Sequence, residues 1–170
     1  MAVSNALNHS PAEVLLQYLI DIQALTDGLA AWPGYHSKMP NSPDSAVCLY
    51  DSDGGTDKRL HVSGFTLDHP MVQLRVRGAT HIIAKRKVGE LVALLDLVPA
   101  RHQVTLDGTV YTLHSINRRN AGAALPPEAE LDRRSFTINV QCTITQERPT
   151  ISPVTTTTST TTSTSTTTTS

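Results

Sequence analysis

Two periods divide the chain. From Ser10 onward the apolar residues Val14, Leu15, Tyr18, Leu19, Ile22 and Leu25 recur at three- and four-residue steps, which puts them on one face of a helix. Ser10 stands where an N-cap belongs, Pro11 suits the first turn, Glu13 completes the spacing of a capping box, and Gly28 offers a stop. A second helical pattern follows Gly78, with Ile83, Ala84, Val88, Leu91, Val92 and Leu95 toward the core, the Lys85, Arg86, Lys87 run on the polar side, and Pro99 as terminator.

Elsewhere the period falls to two. The run AVCLYD predicts a strand over residues 46–51, and the DSDGGTD that follows favours a turn or loop. In MVQLRVRG, Val72, Leu74 and Val76 share one face while Gln73, Arg75 and Arg77 share the other, so one face is core and the other is wet or taken by a partner. QVTLDGTVYTLHSI predicts a hairpin around Asp107-Gly108, since a two-residue turn needs positive φ at both positions. Val104 and Leu106 then share a face with Tyr111 and Leu113. SFTINVQCTI alternates most regularly of all, through Phe136, Ile138, Val140, Cys142 and Ile144, and is expected in the middle of the sheet.

Between these elements lie an extended connector rich in proline, AAWPGYHSKMPNSPD, and a long aperiodic loop over 117–134. Beyond Pro149 a Ser/Thr tract offers almost no apolar surface to offset chain entropy and is expected to be a disordered or partner-ordered tail. The sum is an α+β fold, with a mixed, mostly antiparallel sheet of about four to five strands packed by two amphipathic helices. One domain is expected over residues 1–148, with a low-complexity tail over 149–170.

Composition narrows the function. The 170 residues carry 14 basic and 15 acidic side chains, for a net charge of -1, so no global field favours nucleic acid or an anionic membrane and any DNA contact must be local. Aromatic residues make up only 4%, which argues against a stacking platform for single strands. Cys48 and Cys142 form no CxxC pair and read as buried free thiols of a reducing compartment. Neither a secretory leader nor a membrane span is signalled.

Candidate chemistry is sparse. Asp51 and Asp53 are placed as in a calcium loop, but Gly55 and Val62 stand where further ligands belong, so a solvated turn is expected. Gly54-Gly55 has no Lys-Ser or Lys-Thr after it and does not open a helix, against a phosphate loop. The seven histidines never fall at zinc spacing, and no nucleophile motif stands beside His61, Asp68 and His69, the best that a small-hydrolase reading has to offer. No cofactor or metal is expected. The pairs Arg118-Arg119 and Arg133-Arg134 bracket the long loop and, with Arg75 and Arg77, either line a surface facing phosphate or are neutralised by Glu128, Glu130 and Asp132 within the chain or across a subunit contact.

The order of these elements resembles the tailed-phage minor capsid and tail-terminator families. It runs helix, Pro-rich connector, a short strand ending in YDSDGG, a long loop, a strand ending in Val76-Arg77-Gly78, helix, Asp-Gly hairpin, a second long loop and closing strand. The residues that carry the likeness are Asp51, Gly54, Gly55, Val76, Arg77, Gly78 and the stretch 131–136, within residues 10–146. The Ser/Thr tail departs from the compact pattern of those families. The resemblance implies a non-enzymatic virion protein assembled in the host cytoplasm. It would form a ring, usually a homo-hexamer, at the head–tail junction, ending the tail tube and joining it to the connector while DNA passes through the lumen. Its partners would be itself, the tail tube protein and the connector or stopper protein, with no membrane. The contact residues expected on this reading are Asp51, Asp53, Arg75, Arg77, Arg118, Arg119, Asp132, Arg133 and Arg134. A head-completion or stopper protein is the alternative within the virion.

Overall fold

The computed structural model describes residues 7–27, 31–56, 68–97, 101–120, 122–126 and 133–146. Asp132, His61, Glu128, Glu130 and the Ser/Thr tail lie outside them. The first helix, α1 (Pro11–Asp21), starts as its sequence demands: the Ser10 hydroxyl accepts the Glu13 N–H at 3.2 Å. A second cap comes from far along the chain, because Asp51 Oδ1 accepts the Ala12 N–H at 2.9 Å. The helix ends well before Gly28. Gln23 takes a left-handed conformation (φ 58), and the N–H groups of Gln23 and Ala24 turn back to the carbonyls of Ile20 (2.8 Å) and Leu19 (2.9 Å). That is a Schellman ending with glutamine where glycine is usual.

Three strands precede the next helix: β1 (Gly34–His36), β2 (Ala46–Thr56) and β3 (Asp68–Gly78). Residues 52–56, expected as a turn or loop after a strand over 46–51, instead continue β2 through an irregularity between Ser52 and Gly55. β3 stops at Gly78, where a Cβ would lie 2.8 Å from the backbone nitrogen of Ala84, so the chain turns tightly into α2 (His81–Asp96). Thr80 caps α2, accepting the Ile83 N–H at 3.3 Å. Ala84, Val88, Leu91 and Leu95 face the core as expected, but Ile83 is 42% exposed and Lys87, expected on the polar side, is buried.

β4 (His102–Leu106) and β5 (Thr109–Arg118) form the hairpin, with Asp107 at φ 46 and Gly108 at φ 76, the pair of positive angles that a type I′ turn requires. A two-residue β6 (Ala123–Ala124) leads to β7 (Arg134–Gln146). The fold is α+β, and its sheet follows the order β1-β2-β3-β7-β5-β4 with β6 also on β7. All pairings are antiparallel except β1 with β2. The expected four to five strands become seven among the described residues. The additions, β1 and β6, are too short to carry a period and sit in the segments read as connector and loop.

Both helices lie on one face of the sheet. Leu49, Leu74 and Ile138 are in register across β2, β3 and β7, and Val47, Val76 and Phe136 form the next row; all six join one core with the apolar faces of the helices. α2 lies over β3, β7 and β5, whereas α1 touches β1 and β2 at one end of the sheet order and β4 at the other. A flat sheet cannot bring its two ends to one helix, so the sheet curls around α1. Tyr18 meets His102 of β4 edge to face at 4.8 Å between ring centres on that contact.

Candidate interface on the open face of the sheet

The alternation that buries one face of each strand fixes the chemistry of the other. Opposite the helices, three rows run across the strands: Cys48, Arg75 and Thr137, of which Cys48 and Thr137 are buried; Tyr50, Gln73 and Asn139, all half-buried; and Ser52, Met71, Gln141 and Asn117, polar except for the methionine and exposed at both ends. They are tied to one another. Gln73 Nε2 donates to Asn139 Oδ1 at 3.2 Å, Arg119 donates to Gln141 Oε1, and the Ser115 hydroxyl donates to Thr143 Oγ1 at 3.0 Å. His69 and His114 share hydrogen bonds with Thr143 (3.0 Å) and Thr145 (2.8 Å). β5 and β7 contain no acidic residue.

The electrostatics around Arg75 follow from partial burial. Burial pushes the Tyr50 hydroxyl up to about 12, with its hydrogen bond to Cys48 adding to the rise and the Arg75 charge opposing it. The Cys48 thiol is raised as well, by burial first, against the lowering pull of Tyr50 and Arg75. Neither is a poised nucleophile.

The expected contact residues separate into several groups. Arg77 is 2% exposed and holds the segment before β2: its Nη2 donates to the Pro43 carbonyl at 2.6 Å and its Nε to that of Asp44 at 3.4 Å. Its expected place on an accessible polar face is therefore corrected; the strand end is packed over and the guanidinium serves the chain itself. Arg133 reaches the same segment through Asp44 Oδ1 at 2.6 Å. Arg118 forms a two-point ion pair with Asp96 at the end of α2 (3.1 and 3.0 Å), which holds the Asp96 carboxyl below its ordinary value. Asp51 is spent on capping α1, and Asp53 is exposed on β2. Arg134 opens β7 opposite Gly78. Arg75, half-buried, and Arg119, exposed, remain on the open face, near Gln73, Asn139, Gln141 and Asn117. The polar alternation of β7 is the signal in the sequence for this set, but only its Asn139 and Gln141 are half-buried; Ser135, Thr137 and Thr143 are buried.

The calcium-loop and hydrolase alternatives lie partly outside the described residues, His61 and Val62 among them. Asp51 faces α1, His69 is bonded to a threonine on the open face, and no group of three or more His, Cys, Asp or Glu side chains gathers as a metal site among the described residues.

No family model and no curated protein matches the chain. Among solved structures, one chain aligns with 81% of this chain and 90% of its own length, at 14% identity and a TM-score of 0.42. A likeness at that score carries no argument, and the functional reading rests on the residues of this chain. No helix among the described residues is long and apolar enough to cross a membrane.

Proposed function

We propose that the chain is a structural protein of a tailed-phage virion, tail-terminator-like in fold, which works by self-association and not by catalysis. Its subunits close into a ring, a homo-hexamer, at the head–tail junction, where the ring ends the tail tube and joins it to the connector. DNA passes through the lumen without base-specific contact. The order of sequence elements suggests the family, and one structural observation supports the mode of action: two helices cover one face of the sheet, while part of the other presents Gln73, Asn139, Gln141, Asn117 and Arg119, half-buried or exposed, with hydrogen bonds from Gln73 to Asn139 and from Arg119 to Gln141. A subunit that must stay dissolved before it assembles needs contacts of this kind, individually weak and repeated around a ring, in place of a large apolar patch. Arg119 and Asn117, both exposed, are the side chains best placed to make them.

The test is sedimentation velocity and negative-stain imaging of the full chain, alone and mixed with tail tubes. The expected result is a monomer at low concentration that adds as a ring to tube ends. Arg119→Glu combined with Asn117→Ala keeps the melting temperature and loses the ring. A chain that never self-associates, with or without tubes, overturns the reading.

A further inference from the structure

Every large apolar side chain that the described residues leave exposed belongs to α2 or its C-cap: Ile82 is 70% exposed, Ile83 42% and Leu97 75%. They are not scattered. At helical spacing Ile82, Arg86, Gly89, Ala93 and Leu97 fall on one outward line, all exposed, while Ala84, Val88, Leu91 and Leu95 face the core. The glycine in the middle of that line has no reason inside the fold. A Cβ at Gly89 would meet nothing within 4 Å, its φ is not positive, and glycine weakens an exposed helix interior. The charges beside the line are set against the helix itself. Lys85 and Arg86 stand in its first half, Glu90 and Asp96 in its second, with no acidic residue in the first turn and no basic one in the last, the reverse of what the helix dipole favours.

We infer that the outward face of α2 docks on the same face of a second copy of this chain, the two helices antiparallel about a two-fold axis beside Gly89 and Glu90. In that register Ile82 packs on Leu97 of the second copy with Ile83 flanking the contact, the stem of Arg86 lies along Ala93, and the bare backbone at Gly89 lets the two axes approach. The charges fit this direction alone. Lys85 comes beside Asp96 of the second copy on one flank and Arg86 beside its Glu90 on the other, each contact made twice by symmetry, whereas a parallel pair sets Lys85 and Arg86 against their own kind. Bonds within the chain leave room for these contacts: Asp96, paired with Arg118, and Glu90, paired with Lys87, both keep about half of their side chains exposed. Two helices of 16 residues meet over about 24 Å. That buries less than the roughly 1,200 Å² at which stable complexes begin, so the dimer is weak, with a Kd on the order of 100 µM. The contact lies on the helical layer, away from Asn117 and Arg119, and is separate from the proposed ring.

Sedimentation velocity on the full chain carrying Arg119→Glu and Asn117→Ala, which removes the ring contact, reads the dimer alone. Monomer gives way to dimer as the concentration rises through about 100 µM, and about 0.5 M salt shifts the balance back toward monomer. Adding Gly89→Gln separates docking from folding. Glutamine is the better helix former at an exposed site, so the chain melts higher, yet its side chain blocks the approach and raises the Kd at least about tenfold. Cysteine pairing gives the direction. Oxidation of a mixture of Ile82→Cys and Leu97→Cys chains links one variant to the other and neither to itself, while the native Cys48 and Cys142 are buried and take no part. A chain that stays monomeric up to about 1 mM, with or without binding to anionic vesicles, overturns the inference. So does a Gly89→Gln chain that dimerises as its parent does, or linkage of Ile82→Cys chains to one another.

Discussion

Replacing Arg77 with alanine tests the distinction between an arginine that serves the chain and one that serves a partner. Its guanidinium holds the carbonyls of Pro43 and Asp44 from a position 2% exposed, so truncation leaves two acceptors short of donors at the junction of β3 with the segment before β2. A hydrogen bond to a charged group contributes roughly 1.5–3 kcal/mol. Removing the charge also relieves its desolvation, which offsets part of the loss. The expected net cost is about 2–4 kcal/mol, and with an m-value of about 2 kcal/mol/M the urea midpoint falls by about 1–2 M at unchanged slope. Arg77→Lys keeps the charge but not the planar fork, and should lose about half as much. The assay is equilibrium urea unfolding followed by far-UV circular dichroism. An Arg77→Ala chain within about 0.5 kcal/mol of the parent, the range of ordinary surface changes, would refute the reasoning and return Arg77 to the set of contact residues.

Three further outcomes follow from the geometry. Gln23→Gly should stabilise the chain by about 1 kcal/mol in a thermal melt, since glycine adopts the observed φ of 58 without the cost of a Cβ; a lower melting temperature would mean that the glutamine side chain contributes more than the strain it bears. Lys87→Ala should cost about 2–3 kcal/mol, because Nζ bonds the Ala24 carbonyl (2.6 Å) and Glu90 (2.7 Å) from a buried position, and should shift the emission of Trp32, whose ring centre lies 5.5 Å from Nζ; a chain with both unchanged would rule out the clamp. Burial pushes the Cys142 thiol up to about 12, so at about pH 8 a thiol reagent should label it no faster than the chain unfolds, and rapid labelling of the native protein would contradict its placement.

Local periods were enough to find both helices, the hairpin turn and the central place of β7, because each is written in residues a few positions apart. What escaped depends on distant partners. Lys87 sits in a charged run that reads as a solvated face, yet it bonds a carbonyl 63 residues earlier. Arg77 alternates with buried valine as an outward residue should, and it is the segment at Pro43, 34 residues away, that covers it. Apolar spacing carries on through Ile22 and Leu25 beyond the true end of α1, since the turn at Gln23 keeps Leu25 buried after the helix has stopped. The glycines after Asp51 suggested a turn, but the strand passes through them by an irregularity in pairing. Of the contact set, the sequence placed Arg75 and Arg77 on the polar face of a strand but could not separate Arg118 from Arg119 or Arg133 from Arg134, since Arg118 and Arg133 are matched to the distant Asp96 and Asp44.

The central position of β7 bears on how the chain reaches its native state. Gln73 meets Asn139 across 66 residues, and β7 separates β3 from β5, so every earlier stretch of chain lacks the strand that joins the two halves of the sheet. During synthesis β3 exposes an edge of unpaired amides and carbonyls until residues 134–146 emerge, a state open to pairing with another nascent chain. Contacts of such sequence separation require large loops to close before they contribute, which places folding in the slow regime of milliseconds to seconds. Expression at low temperature or with a holding chaperone should therefore raise the yield of this chain more than any change made on its surface.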